Sequence, residues 1–303
     1  MNEAEFIAAL ARLPLHPGAD GLRDDAAILG HRAGEQLVLT KDMIVEGVHY
    51  LPLDPPDDVA WKLVAVNLSD LAAKGARPVG LMLGYMLGDD AWDRAFLTGL
   101  DEAIRAFDAP LLGGDTVRGG GRARTLSLTA IGAADRVARR GGAKAGDSLW
   151  VTGTIGDAGA GLRIAQGADG PESLRSAYRR PVPRIAEGRA LSADASAMMD
   201  ISDGLLIDAS RMAAASGLAV GIDLDAVPLS DALRDFSGDD ESARLAAVTA
   251  GDDYELLFAL PGDTQPPVAA TRIGRLEPGE GLTLRWRGNA LSLPDRLGFQ
   301  HGS

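Results

Sequence analysis

Residues 133–150, AADRVARRGGAKAGDSLW, interrupt a chain that on either side alternates short apolar runs with helix-length segments. Alternation of that kind favours α/β or α+β over an all-helical fold. The charge and glycine of the interruption mark a boundary between two halves of similar size, placed here at 1–137 and 138–303. At 303 residues the chain is long enough for two such domains, each with a buried core.

In the first half, Asn2 with Glu5 forms a capping box for an opening helix. AAIL and QLVLT read as buried strands flanking the turn HRAGE. Asp57 and Asp58 start a helix that runs to about Lys74 and stops at Gly75 and Pro78. VGLMLGYML follows as a strand, Asp90 to Phe107 as a helix, and RTLSLTAIG alternates by two as a strand. The second half carries helices near 156–166, 183–193 and 203–215, with strands at DSLWV, LAVGIDL, DYELLFAL and LTLRW.

Charge narrows the partners. A net charge of −13 argues against a nucleic-acid backbone or an anionic membrane surface as the target. Polyphosphates stay open, because bound cations invert a local negative field. The absence of cysteine excludes disulfides, thiolate metal sites and cysteine nucleophiles. MNEAEFIAAL lacks the basic and apolar regions of a signal peptide, and VGLMLGYMLG is too short to span a bilayer, so a cytoplasmic location is expected.

Aspartates recur where elements should end: Asp24 and Asp25 before a strand, Asp42 and Asp115 after one, Asp200 and Asp203 before a helix. Turns and helix caps account for each singly, Asp203 most clearly, as the expected N-cap of its helix. Together they form an oxygen-rich set suited to a hard cation such as Mg²⁺. Asn67, Asp70 and Lys74 share a helix face, equally readable as a solvated stripe. In LLGGDTVRGG, residues 111–120, Gly113 and Gly114 suggest a tight turn and an acid and a base follow at Asp115 and Arg118. His49 is balanced between packing and ligand contact. The glycine-rich VTGTIGDAGAGL, running from a strand into a helix, is open to holding a phosphate or to close helix–strand packing, and packing is the reading favoured. P-loop and protein-kinase signatures are missing.

RDDAAIL, TKDMIVEGVHY, KLVAVNLSDLAAKGARP, GGDTVRG, VTGTIGDAGAGL, RRPVPRIAEG, MDISDGLLID and GDDYELLF occur in that order over nearly the whole chain. This series resembles the thiamine-monophosphate kinases of the PurM-like (AIR synthetase-like) superfamily. The resemblance implies an N-terminal mixed-sheet domain that dimerises and holds the metal and ATP site, and a C-terminal α/β domain. It implies a homodimer that transfers a phosphoryl group from ATP to thiamine monophosphate with several Mg²⁺ ions, and it leaves a K⁺ requirement open. Carried over by position, the metal ligands are Asp24 or Asp25, Thr40, Asp42, Asp70, Asp115, Asp200 and Asp203. Gly114, Asp115, Arg140 and Ser202 fall at ATP-contacting positions. His49, Asp252 and Phe299 fall at positions that hold the thiamine phosphate. Asp42, Asp115, Arg140 and Asp203 are the residues expected to carry catalysis.

The chain departs from the family pattern at Arg23 (usually glycine), Lys41 (usually a hydroxyl residue) and Asp252 (usually glutamate). Lys41 raises the expectation of a fixed positive charge replacing one metal contact. Two other ATP-using enzymes of the superfamily, AIR synthetase and selenophosphate synthetase, are rival readings. A non-catalytic metal- or nucleotide-binding regulator is a third.

Overall fold

Asn2 Oδ1 accepts from Glu5 N (2.9 Å) and the Glu5 carboxylate accepts from Asn2 N (3.0 Å), which satisfies N–H groups that a helix start leaves without partners. The computed structural model describes residues 2–22, 29–30, 32–119 and 123–300. Most of the expected strand AAIL lies outside them, as do Arg23, Asp24, Asp25, His31 and His301. The chain divides into two units, residues 1–71 with 76–135, and residues 72–75 with 136–303.

The first unit runs α1 (Glu3–Leu10), β1 (Gln36–Val45), α2 (Pro56–Ala73), β2 (Arg77–Leu87), α3 (Asp90–Ala106), β3 (Leu111–Arg118) and β4 (Thr125–Ala134). Its sheet has the order β1-β4-β2-β3, with β4 antiparallel to both neighbours and β2 parallel to β3. One sheet face is apolar and covered: Leu126, Leu128, Ala130, Leu81 and Leu83 are buried, as are Leu63, Leu68 and Leu71 of α2 and Phe96, Leu100 and Ile104 of α3. Burying side chains of this size stabilises by roughly 1.5–3 kcal/mol each.

Two strands are longer than expected, and this moves two aspartates. β1 does not end at Thr40 but pairs with β4 along ten residues, Gln36↔Ala134 through Val45↔Thr125, so Asp42 lies inside it. Period-2 alternation then sorts its side chains. Thr40, Asp42 and Ile44 stand opposite buried Ala130, Leu128 and Leu126 on the covered face. Leu39, Lys41 and Met43 stand on the other. Asp115 likewise lies inside β3. Gly113 and Gly114 make no turn; they extend alongside β2, and a Cβ on Gly114 would sit 1.9 Å from Leu83 O. The close strand approach, not a reversal, is what requires glycine there.

The second unit runs β5 (Ser148–Val151), α4 (Asp157–Ala165), α5 (Glu172–Arg179), α6 (Ile185–Leu191), β6 (Ala197–Asp200), α7 (Leu205–Ser216), β7 (Ala219–Asp223), α8 (Asp231–Ser237), α9 (Glu241–Val248), β8 (Leu256–Leu260), β9 (Thr271–Glu277), β10 (Gly281–Trp286) and β11 (Asn289–Leu291). Its sheet order is β11-β10-β7-β9-β5-β8-β6. Leu205, Leu206, Ala209, Met212 and Ala213 of α7 pack with Leu149, Met199, Ile222, Leu257 and Ile273 on one face. On the other, Trp150, Met198, Leu256 and Phe258 pack with Leu191, Ala72 and Ala73. Burial on both faces explains why β5 and β8 read as apolar runs without polar alternation. Among the described residues no helix is long and apolar enough to cross a membrane.

Candidate active site

In the first unit the expected ligands Thr40, Asp42 and Asp70 come together. Thr40 Oγ1 donates to Asp70 Oδ2, across from β1 to α2. One turn earlier on α2, buried Asn67 accepts from Asp42 N through Oδ1 (2.9 Å) and donates from Nδ2 to Leu63 O (2.9 Å). The stripe is therefore not a solvated face: Asn67 closes an N–H on the exposed edge of β1. Burial, with the Asp70 charge as the lesser cause, pushes Asp42 up to about 6. Two carboxylates held close against their mutual repulsion, with a hydroxyl beside them, suit a hard cation that also takes water and phosphate oxygens. Among the described residues no three acidic or imidazole side chains converge to cage a metal unaided.

Lys41 does not replace one of these contacts. Alternation puts it on the opposite face of β1 from Asp42, beside Leu39 and Met43. Asp115 also stands on that opposite face, in a row with Met43, Ser127 and Gly84. It is three strand spacings from β1, about 14 Å, and does not join the Thr40–Asp42–Asp70 group. Asp115 and Met43 line one depression of about 210 Å³ with Gly84, Met86, Val117 and Ser127. His49 closes a turn after β1, where Nδ1 accepts from Val45 N (3.1 Å); this leaves Nε2 to carry the proton of the neutral ring.

In the second unit the expected residues lie on three segments joined by main-chain hydrogen bonds. Asp252 N donates to Ser202 O (2.8 Å), Tyr254 N to Ile201 O (2.8 Å), Ile201 N to Glu255 O (2.9 Å) and Phe299 N to Asp203 O (2.8 Å). Asp200, at the end of β6, leads into this loop. Ser202, Asp203, Asp252 and Phe299 thus form one connected group. Asp252 (φ +62°) and Tyr254 (φ +52°) are left-handed, which costs a residue bearing a Cβ about 1–2 kcal/mol. Left-handed Tyr254 also keeps β8 from starting before Leu256, so the expected strand DYELLFAL is shortened.

Asp203 is not the cap of α7. That position is Gly204, which has no side chain to offer. Buried Asp208, in the first turn, does the work instead: its Oδ2 accepts from Ser202 N (3.1 Å) and Asp203 N (3.0 Å). Arg211 donates to Asp208 Oδ1 (2.8 Å) and to Asp203 Oδ2. Asp208 and Arg211 were not singled out by sequence reasoning. The usable signal was a glycine at the cap position with an acid four residues later.

Glu255 was missed too. Buried beside Gly153, it accepts from Thr152 Oγ1 (2.6 Å), Arg184 Nε (2.8 Å) and Arg184 Nη2 (2.5 Å), joining RRPVPR to the glycine-rich turn. A Cβ on Gly153 would lie 2.0 Å from Glu255 Oε1, so this glycine serves packing. Arg140, Arg139 and Lys74 line an open depression of about 570 Å³, a concentration of positive charge in an acidic chain.

Family models for AIR synthase related protein match the chain, the N-terminal domain over residues 23–134 and the C-terminal domain over 144–287. A thiamine-monophosphate kinase of Caulobacter vibrioides is 41% identical over 99% of this chain and 91% of its own length. The chain belongs to the thiamine-monophosphate kinase family. The structure of a family member from Stenotrophomonas maltophilia K279a matches with TM-score 0.81 and 39% identity, covering 95% of this chain and 96% of that one. A structure described as AaThiL complexed with AMPPCP and TMP matches with TM-score 0.79 and 32% identity, covering 91% and 90%. Membership in the thiamine-monophosphate kinase family accounts for the mixed α/β architecture and two-part organisation.

Proposed function

We propose that the protein transfers the γ-phosphoryl group of ATP directly to thiamine monophosphate, forming thiamine diphosphate and ADP. The observation that supports this most is the connected group in the second unit: Ser202 at an ATP position, and Asp252 and Phe299 at acceptor positions, share one main-chain hydrogen-bond network with Asp203. The family member described as complexed with AMPPCP and TMP supports the same substrate pair.

The acceptor is a phosphate monoester with a second pKa of about 6, so at neutral pH it is largely a dianion and already an oxygen nucleophile. No general base is needed. An acceptor oxygen bonds to the γ-phosphorus as the bond to the ADP oxygen breaks, and the displaced charge stays on ADP. The obstacle is bringing two anions together, and phosphoryl transfer depends mainly on positioning and charge neutralisation. Arg140, with Lys74 and Arg139 on the same depression, offsets phosphate charge. In the second unit Ser202 orients the nucleotide and Asp252 and Phe299 orient the acceptor; in the first unit His49 stands at an acceptor position of the family pattern.

In the first unit Thr40, Asp42 and Asp70 would hold a Mg²⁺ ion and Asp115, on the other sheet face, would contact metal apart from them; in the second unit Asp200 and Asp203 would be the metal-contacting carboxylates. Bound cations supply charge neutralisation at the phosphates. Leu39, Met43 and Val117, 64%, 51% and 50% exposed on the open sheet face of the first unit, support a homodimer that covers this face. A coupled assay for ADP tests the reading: ADP should appear only when thiamine monophosphate is present, and Asp42→Asn should nearly abolish it. ADP formation independent of the acceptor would defeat the proposal.

A further inference from the structure

The segment Gly251–Tyr254 has three left-handed residues in four, at φ +79°, +62° and +52° for Gly251, Asp252 and Tyr254. One side of it is held by the main-chain bonds to Ile201 and Ser202. On the other side the hold is the side chain of Asp253, whose Oδ1 accepts from Gly156 N at 2.8 Å. Gly156 is the cap residue of α4 and has no side chain of its own to close that helix start. The Asp253 Oδ2 is fully buried and has no hydrogen-bond partner among the described residues.

We propose that Asp253 is a positioning residue: through Gly156 it fixes the left-handed loop and thereby the placement of Asp252 toward the phosphate acceptor. The link to the acceptor rests on the function proposed above; the link to the loop does not. A carboxyl with one oxygen buried and unpartnered is better tolerated as the neutral acid than as the anion. Burial pushes this group well above the usual carboxylate range, and nearby Glu255, Asp157 and Asp252 add to it against the opposing Gly156 N–H. An asparagine reproduces the neutral acid's shape and keeps the Oδ1 acceptor, whereas alanine removes it.

Amide hydrogen exchange on the full chain, without ligands, tests the loop directly. In Asp253→Ala, exchange at Gly156, Asp252 and Tyr254 should accelerate at least roughly tenfold, while Asp253→Asn stays within about threefold of the parent. Should the alanine variant fail to fold, Asp253→Ser, too short to reach Gly156, carries the same expectation. Parent-like exchange at Asp252 and Tyr254 in the alanine or serine variant would overturn the proposal. In turnover, the alanine variant should raise KM for thiamine monophosphate roughly tenfold and leave KM for ATP within about twofold, with the asparagine variant restoring it. A merely structural role would lower the active fraction and move neither KM; that result would break the link to the acceptor. If the parent protein does not turn over thiamine monophosphate, the functional reading fails by itself and the exchange result still decides the role of Asp253.

Discussion

Asp70 accepts the Thr40 hydroxyl and adds its negative charge to the burial that lifts Asp42 to about 6. A site of this kind is strained toward cation uptake: what opposes Asp42 ionisation is relieved when a positive charge arrives. Between pH 3.8 and about 6 the folded protein retains a proton on Asp42 that the unfolded chain has lost, so Asp42 lowers metal-free stability as pH rises through that window. In chelator, Asp42→Asn should therefore raise Tm relative to the parent above pH 6 and make little difference near pH 4. Mg²⁺ should raise the Tm of the parent at pH 7.5, less at pH 5, and raise that of the variant by less than the parent's at pH 7.5. Thermal unfolding across this range checks both; equal Mg²⁺ shifts in parent and variant would remove Asp42 from the cation site.

Asp208 shapes the loop that presents Ser202 and Asp203. Asp208→Ala leaves two backbone N–H groups and Arg211 without their shared acceptor and should cost about 2–4 kcal/mol. Urea unfolding gives the number, and a loss below about 1 kcal/mol would show that water replaces the carboxylate there.

Much of this was legible in the sequence, and the exceptions share a cause. The capping box at Asn2, the acidic start of α2 and the alternation in β4 are local signals, and local chemistry decides them. Strand ends are not decided locally. Asp42 and Asp115 were expected to follow strands, because a polar residue after an apolar run resembles an exit; pairing with β4 and β2 carries both strands through. Asp203 was expected to cap α7 because it stands at the right distance, whereas the competing acceptor, Asp208, folds back from inside the helix. The motif residues of the second unit were identifiable by resemblance. That Ser202, Asp252 and Phe299 meet depends on bonds across tens of residues, which no spacing rule reveals.

The open face of the first sheet leads to an expectation about assembly. Replacing Leu39 and Met43 by lysine and glutamate respectively places charges where the proposed homodimer buries apolar surface. Sedimentation should show the parent as a dimer and the double variant as a folded monomer; a monomeric parent would contradict this part of the account.

The most direct measurement follows phosphorus itself. Purified protein is incubated with ATP, Mg²⁺ and thiamine monophosphate, and products are read by ³¹P NMR. ADP and thiamine diphosphate should accumulate together in equal amounts as thiamine monophosphate is consumed. Formation of AMP, or ATP consumption that leaves thiamine monophosphate untouched, would contradict direct transfer to this acceptor and return the chain to one of the other activities of its superfamily.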